Sequence, residues 1–164
     1  MFNCGIKKYI EDLSSTKPVP GGGSASALVG ALGAALIEKA CNFTIGKEKY
    51  KPVEKEMSGI LKEATAVRKR LVELIELDKR AFLPVAKAYK MPKNTDEQKA
   101  IRKEKIDQSS KEAAKAPQEI KNICERLLPY CEKLEKEANQ LFVSDIRCAR
   151  ELLKAASNGA RYFL

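Results

Sequence analysis

Apolar side chains recur every three or four positions along most of this chain, which is the spacing that one face of an α-helix produces. The first such group predicts a short amphipathic helix from Ile6 to Leu13, with Tyr9 on its apolar face. A second predicted helix runs from about Ser24 to Thr44 and is rich in alanine and leucine. The amino-terminal quarter of the chain is therefore expected to be helical.

Proline and capping residues set the expected bounds of the next two helices. The third begins near Pro52, because proline suits a first helical turn, and its apolar spacing continues to Tyr89. Pro84 should bend this helix, since proline removes a backbone hydrogen bond. Thr95 followed by Gln98 predicts a capping box at the start of a fourth helix.

The remaining sequence predicts two more helices and no strand. The fifth helix runs from about Pro117, where the fourth ends, to about Glu137. Ser144 or Asp145 is expected to cap a sixth helix. The predicted fold is an all-α bundle of about six helices, formed by a single domain over residues 1–164.

The segment from Pro18 to Ala40 is the most informative part of the chain. Gly21, Gly22 and Gly23 stand directly before the small-residue helix. Glycine lets a backbone approach a ligand closely, and the first turn of a helix presents unpaired N–H groups that suit an anion or a carbonyl. A tight turn leading into a closely packed core helix explains the same pattern, and local sequence does not separate the two interpretations.

Two nucleotide-binding motifs are excluded at this glycine-rich segment. A Walker loop needs Lys and Ser/Thr directly after its last glycine, whereas Gly23 is followed by Ser24 and Ala25. The dinucleotide fingerprint needs spaced glycines after a strand, whereas these glycines are contiguous and follow a predicted helix and loop.

Histidine is absent from the sequence, which narrows the possible chemistry. Ser-His-Asp catalysis and histidine zinc sites are excluded, and no cysteine or carboxylate group has metal-ligand spacing, so no metal is expected. Acid–base chemistry falls to Asp, Glu, Lys, Tyr or a thiol. The five cysteines form no C-x-x-C pair, and the start of the chain lacks the pattern of a secretory signal. Reduced thiols and a cytoplasmic location are expected.

The formal net charge of +9 is compatible with a nucleic-acid surface, a membrane surface or a site for an anionic small ligand. Most lysines alternate with glutamates along helices, which is typical of a solvated helix face. No aromatic RNA-binding signature is present, and the longest uncharged run is interrupted by proline and glycine. We therefore expect neither nucleic acid nor a membrane as a partner.

A series of collinear motifs resembles the formiminotransferase-cyclodeaminase C-terminal family, the cyclodeaminases and cyclohydrolases of folate one-carbon metabolism. The resemblance extends from about Ile6 to about Ala160. It rests on Pro20 to Ser24, Thr44 to Lys47, Tyr50, Asp78 with Ala81 and Phe82, Pro92 and Lys93 with Thr95, Lys99 and Arg102, Pro117, Asn139, and Ser144 with Asp145.

Asp78 is the expected catalytic residue. It lies on a largely apolar stretch of a predicted helix, where aspartate is a poor helix former and where partial burial would raise its pKa. An exposed aspartate paired with Lys79 or Arg80 is the alternative that the local sequence allows. The resemblance favours catalysis, because this position matches the catalytic aspartate of the family.

The other residues expected at the site are assigned to substrate binding by the resemblance. They are Gly21, Gly22, Gly23, Ser24, Lys93, Asn139 and Asp145. An exposed loop lysine is the alternative for Lys93, and a turn between helices is the alternative for Asn139. For Asp145 a helix cap is the favoured interpretation and site membership the other. Ala138 departs from the family, which usually has glycine before the asparagine, and a left-handed backbone there would be costly for alanine.

The resemblance implies a reaction on a reduced folate, with no cofactor beyond the tetrahydrofolate-bound substrate. Formimino-tetrahydrofolate cyclodeaminase is the first hypothesis, and methenyl-tetrahydrofolate cyclohydrolase is the second. A non-catalytic folate-binding or scaffolding module is the alternative from another class. A polyglutamate tail on the folate would suit the positive charge. A homodimer is expected through the small-residue helix, and the family's C-terminal helices are expected to be missing after Leu164.

Overall fold

The computed structural model describes residues 5–164 and contains six α-helices, two short 3-10 helices and no β-strand over that range. The α-helices are α1 (Ile6–Leu13), α2 (Gly22–Asn42), α3 (Glu54–Tyr89), α4 (Asp96–Ala113), α5 (Lys115–Glu137) and α6 (Val143–Arg161). The 3-10 helices span Glu48–Val53 and Gln140–Phe142. This architecture confirms the predicted all-α bundle of about six helices.

The small-residue helix α2 lies at the centre of the bundle, where it packs against α3, α5 and α6. A Cβ atom built on Gly30 would fall 2.7 Å from Sγ of Cys124 on α5. One built on Gly33 would fall 2.9 Å from Cγ of Leu153 on α6. The missing side chains of α2 therefore let its neighbours approach the backbone closely, which gives the dense packing of a protein core.

Most of the small residues of α2 are not accessible to a second copy of the chain, so the predicted dimer through α2 or its neighbours would have to use other residues. Ala27, Gly30, Ala31, Gly33 and Ala34 are buried inside one protomer, because the surrounding helices occupy the space above them. The accessible side of α2 carries larger apolar side chains instead. It consists of Leu28, Val29, Leu32 and Leu36, of which Leu32 is the most open, with 49 % of its surface exposed.

By length and composition alone, α2 is apolar enough to cross a membrane. The same properties are typical of a helix at the centre of a soluble core. Ala27, Ala34 and Ile37 are completely buried by protein, so the bundle itself covers much of the apolar surface of this helix.

The helix boundaries agree with the sequence pattern at α4 and differ from it at α3. Thr95 accepts a hydrogen bond from the backbone N–H of Gln98 at 3.2 Å, as the capping box predicts. Pro52 lies in the 3-10 helix Glu48–Val53, so α3 itself begins two residues later, at Glu54. Pro84 lies within α3, which continues to Tyr89.

The start of α6 also differs from the prediction. A 3-10 helix runs directly into α6, so the residue before the first turn is Phe142 and neither Ser144 nor Asp145 is the cap. Asp145 lies in the first turn, where a carboxylate is favourable at the positive end of a helix. Ala138 has a φ of −81°, so this position requires no left-handed backbone and carries no strain from alanine.

Candidate active site

A pocket of about 220 Å³ opens at the amino-terminal end of α2. Its walls are mostly apolar, and Asp78 and Ser110 supply polar side chains. The lining residues are Pro18, Val19, Gly21, Gly22, Gly23, Asp78, Phe82, Val85, Ser110, Ala113, Pro117 and Phe163. Such a concave apolar site with few polar groups is typical of a small-molecule pocket.

The glycines bring the free end of α2 to this pocket. Gly21 is extended and precedes the helix, and the first helical bond runs from the N–H of Ala25 to the carbonyl of Gly21 at 3.0 Å. The N–H groups of Gly22, Gly23 and Ser24 therefore have no acceptor within α2, and no side chain before the helix caps them. The first turn presents a positive surface beside the pocket.

Asp78 on α3 lies directly over this first turn. A Cβ atom built on Gly23 would fall 2.1 Å from Oδ1 of Asp78, so only glycine leaves room for the carboxylate. The backbone N–H of Ser24 lies close enough to the same carboxylate to favour its ionised form. Asp78 thus caps α2 from a neighbouring helix, at the place where ligand-binding N–H groups were expected.

Burial raises the pKa of Asp78 above its ordinary value of 3.8, and the Ser24 N–H partly opposes that rise. Lys79 forms its ion pair with Glu76 at 2.9 Å rather than with Asp78. The half-buried carboxyl group is therefore poised to exchange a proton with a molecule in the pocket. Its environment differs from that of the exposed, ion-paired aspartate that the local sequence also allows.

The Ser24 side chain faces away from the pocket. Its hydroxyl forms a buried hydrogen bond of 2.9 Å with the hydroxyl of Tyr9 on α1. Only the backbone of Ser24 is thus engaged with Asp78. Sequence reasoning assigned no role to Tyr9, although its place on the apolar face of α1 is the signal that it would be buried.

Phe163 forms an aromatic wall of the pocket against Gly22. A Cβ atom built on Gly22 would fall 2.5 Å from Cζ of this ring. The sequence motifs did not indicate Phe163, Ser110 or Ala113, because residues far apart in the chain reach the pocket only through helix packing. Phe82 was part of a motif but had no predicted site role.

Besides Ser24, three predicted binding residues do not line this pocket. Lys93 is exposed in the connection between α3 and α4. Asn139 lies at the opposite end of α2, where its side-chain amide donates to the carbonyl of Phe43 at 3.0 Å. Asp145 pairs with Lys39 near that same end, at 2.7 Å. Since α2 has 21 residues, about 30 Å separates its two ends.

Asn139 and Asp145, the predicted residues at the Asn42 end of α2, form a cluster with the side chains around them. The rings of Phe43 and Phe142 stack with their centroids 4.4 Å apart, and the ammonium group of Lys39 lies 5.5 Å from the Phe142 ring. The backbone N–H of Asn139 donates to the hydroxyl of Thr44 at 3.0 Å. We call Lys39, Phe43, Asn139, Phe142 and Asp145 the distal cluster.

The carboxylates and thiols within residues 5–164 are the other groups that could bind a metal or act as nucleophiles. No group of three or more Cys, Asp or Glu side chains there has the arrangement of a metal site. Burial raises the pKa of both Cys41 and Cys124 to about 12, so each remains a protonated thiol at neutral pH. Cys148 is exposed, and Cys4 lies outside the described residues.

Comparison with known proteins assigns the family. The sequence model of the formiminotransferase-cyclodeaminase family matches residues 5–164. The chain belongs to this family. Its members differ in length, and the chain spans 30 % of the rat formimidoyltransferase-cyclodeaminase, with 28 % identity over 163 residues.

Two further relatives are similar over most of their own length. A methenyltetrahydrofolate cyclohydrolase of Methylorubrum extorquens is 39 % identical over 140 residues, which cover 85 % of this chain and 67 % of that protein. The crystal structure of a formiminotetrahydrofolate cyclodeaminase from Thermotoga maritima has a TM-score of 0.84 and 30 % identity. That match covers 98 % of this chain and 76 % of the bacterial chain. The family includes both activities among these relatives.

Proposed function

We propose that this protein is a folate one-carbon enzyme and that it acts as a formimino-tetrahydrofolate cyclodeaminase with Asp78 as the acid–base group. One observation carries the proposal. The carboxyl group of Asp78, with its raised pKa, lies over the glycine turn at the base of a mostly apolar pocket. A reaction that moves one proton between two nitrogens needs such a group and no metal.

The cyclodeaminase reaction proceeds through ring closure. The bridging nitrogen attacks the carbon of the protonated formimino group on the pterin-ring nitrogen, and a tetrahedral carbon that bears an NH2 group forms. Ionised Asp78 accepts the proton that the attacking nitrogen loses. Protonated Asp78 then returns it to the departing amine, which leaves as ammonia while the methenyl ring double bond forms. A pKa closer to neutral than that of an ordinary aspartate suits both halves of this cycle.

The other residues of the pocket position the substrate and take no part in proton transfer. Phe82, Val85 and Phe163 offer apolar surface to a planar ring. The N–H groups of Gly22 and Gly23 are free of helical partners and suit a ring carbonyl. Holding the two nitrogens in ring-closing geometry supplies much of the rate enhancement in an intramolecular reaction.

Methenyl-tetrahydrofolate cyclohydrolase is the second candidate, and the 39 % identity to an enzyme of that name favours it. In this reaction water attacks the methenyl carbon and Asp78 accepts a proton from that water. The carbon–nitrogen bond to the pterin ring then breaks as Asp78 passes that proton to the departing nitrogen, and the remaining hydroxyl proton leaves to solvent as the formyl carbonyl forms. The formyl compound results. Both reactions use a similar tetrahedral carbon, so the same carboxyl group serves either.

The absorbance of methenyl-tetrahydrofolate tests these assignments with one preparation. A cyclodeaminase forms the chromophore from the formimino compound, whereas a cyclohydrolase removes it in water. Tight folate binding without either change would identify the non-catalytic binding module. The Asp107→Asn variant is a matched control, because Asp107 is an exposed aspartate on α4.

We further propose that the protein is a homodimer that packs two copies of α2 together. Leu32 is the midpoint of α2 and its most exposed leucine, with half-buried Leu28, Val29 and Leu36 around it. A two-fold axis through this midpoint makes the paired helices antiparallel, and the apolar side chains bury each other. This pairing uses the open side of α2 rather than its buried small residues.

The same pairing gives the distal cluster a functional position. An antiparallel pair brings the Asn42 end of one α2 beside the Gly22 end of the other. Asn139 and Asp145 of one copy would then approach the Asp78 pocket of its partner. Their predicted role in substrate binding is retained in this form, as a contribution across the dimer.

Basic side chains of the protein near the pocket are available to bind a polyglutamate tail on the folate. Lys87 and Lys105 line a second cavity, of about 640 Å³, between α3 and α4. Lys93 is exposed just after α3 and remains a predicted binding residue. Replacing Lys87 and Lys105 with glutamine should raise KM for a polyglutamylated substrate and leave KM for the monoglutamate unchanged.

The proposed location is the cytoplasm, where buried thiols such as Cys131 stay reduced.

A further inference from the structure

Tyr9 and Ser24 form a buried polar pair behind the Asp78 pocket. Their hydroxyl oxygens lie 2.9 Å apart, Tyr9 is 7 % exposed and Ser24 is completely buried. Tyr9 is the buried residue of α1, whose other side chains are accessible. A buried hydroxyl pair of this kind is costly to break, because each partner would lose a hydrogen bond without gaining water.

Ser24 connects this pair to the acidic group. Its side chain binds Tyr9, and its backbone, next to Gly23, lies against the carboxylate of Asp78, whose charge the Ser24 N–H favours. The N–H belongs to the first turn of α2, where three glycines precede it and no preceding side chain fixes the backbone. Glycine gives this turn more conformational freedom than other residues would, so an external contact is needed to hold the N–H in place.

We propose that Tyr9 is a positioning residue for Asp78. Through the Ser24 hydroxyl it fixes the first turn of α2, and so holds the backbone of Gly23 and Ser24 in place against the Asp78 carboxylate. The proposal rests on the acid–base role of Asp78 for its consequence in catalysis. The structural linkage itself is independent of which substrate the enzyme uses.

Tyr9 acts in this linkage as a neutral hydroxyl. Burial raises its pKa above the ordinary value of 10.0, although the Ser24 hydrogen bond and Lys79 oppose that rise. Asp78 and Glu76 favour the protonated phenol further. These three charged side chains all belong to α3, and the first turn of α2 contributes no charged group. The Tyr9 hydroxyl therefore stays protonated at every pH below its ordinary pKa of 10.0.

The Tyr9→Phe variant removes the hydroxyl and keeps the ring that packs α1. With the turn less firmly held, the Ser24 N–H stabilises the ionised carboxylate less, so the pKa of Asp78 should rise further. NMR titration of the ¹³C-labelled Asp78 carboxyl group measures this value without substrate. We also expect kcat to fall about tenfold with little change in KM, since a loosened turn misplaces the proton acceptor.

Tyr130→Phe is the matched control. The Tyr130 hydroxyl donates to Oε2 of Glu63 at 2.5 Å, a contact between α5 and α3 that does not involve the pocket residues. This variant also loses one phenol hydrogen bond, and it should leave the Asp78 titration unchanged. A change of equal size in both variants would show a general loss of stability and overturn the proposal.

Ser24→Ala completes the test and covers the case in which Tyr9→Phe folds poorly. It removes the hydroxyl that Tyr9 binds and keeps the backbone N–H, so the Asp78 pKa should rise as it does in Tyr9→Phe. The double variant should add nothing to the single ones, because both remove the same link. Additive shifts, or an unchanged Asp78 titration with only a lower melting temperature, would show that Tyr9 merely anchors α1. An Asp78 shift without any folate turnover would support the linkage and refute the proposed reaction.

Discussion

Gly23 and Asp78 occupy adjoining space so closely that a Cβ on the glycine would stand 2.1 Å from Oδ1 of the aspartate. The two residues are 55 positions apart, on α2 and α3. The glycine contributes by having no side chain, which lets a carboxylate lie on the first turn of α2. The aspartate contributes a group with a raised pKa in an apolar pocket. The carboxylate at position 78 explains why position 23 is glycine, and the space left by that glycine explains how an aspartate fits at position 78.

Replacing Asp78 with asparagine should lower turnover by about a hundredfold or more, because the amide has similar size and cannot accept and return a proton. Formation or loss of the methenyl chromophore measures the effect. Asp107→Asn should retain normal turnover. Near-normal turnover in the Asp78→Asn variant would remove this residue from the acid–base role.

The same variant should also change how stability depends on pH. Burial raises the pKa of Asp78, so the folded chain holds its proton at pH values where the unfolded chain has lost it. Stability contributed by this group is therefore present below the ordinary pKa of 3.8 and is lost as pH rises through the folded value. Asparagine never ionises. Asp78→Asn should melt at an equal or higher temperature than the parent at pH 7, and this advantage should disappear near pH 3.

Gly23→Ala should reduce turnover at least tenfold while the protein stays folded, because the new methyl group displaces the Asp78 carboxylate. Alanine has a higher helix propensity than glycine, so any loss of stability in this variant comes from the collision of the new methyl group with the Asp78 carboxylate. Gly59→Ala on α3 is the matched control, since a Cβ atom built on this exposed glycine would meet nothing within 4 Å. That control should keep full turnover and gain up to about 1 kcal/mol of stability. Equal turnover in the two variants would contradict the close contact.

Asn139→Ala should lower the free energy of unfolding by about 1–3 kcal/mol, because it removes the hydrogen bond from the buried Asn139 amide to the partly buried carbonyl of Phe43. Chemical denaturation measures this change. Asn122→Ala is the control, because the Asn122 amide is exposed on α5 and accepts from Gln118. If the distal cluster also contributes across a dimer, KM of Asn139→Ala rises in addition. Unchanged stability would show that the Asn139 contacts contribute little to the fold.

Leu32→Glu should shift the protein from dimer to monomer, because two carboxylates would face each other at the proposed two-fold axis. Sedimentation equilibrium at micromolar concentration should give twice the chain mass of 18.2 kDa for the parent and the single mass for the variant. Ile101→Glu places the same charge on another exposed apolar residue, on α4, and should leave the mass unchanged. A parent protein that sediments as a monomer at every concentration would refute the dimer.

Much of this protein can be predicted from local sequence. The apolar spacing predicts the helices, and the Thr95–Gln98 pair predicts the start of α4, because caps and helical periodicity depend on residues within one or two turns. The place of Asp78 on an apolar stretch and the glycine block before α2 each indicate a special environment. Local sequence cannot say that these two features meet.

Tertiary packing decides that Asp78 lies against the glycine block, and it decides which residues line the pocket. It turns the Ser24 hydroxyl toward Tyr9, brings Phe163 onto Gly22, and separates Asn139 from Asp78 by the length of α2. It also buries the small residues of α2 inside one protomer and leaves Leu32 open. The sequence by itself determined the helices and the acidic group, since both follow from neighbours along the chain. Only the tertiary structure decided which atoms surround that group, because contacts between helices depend on the crossing of distant segments.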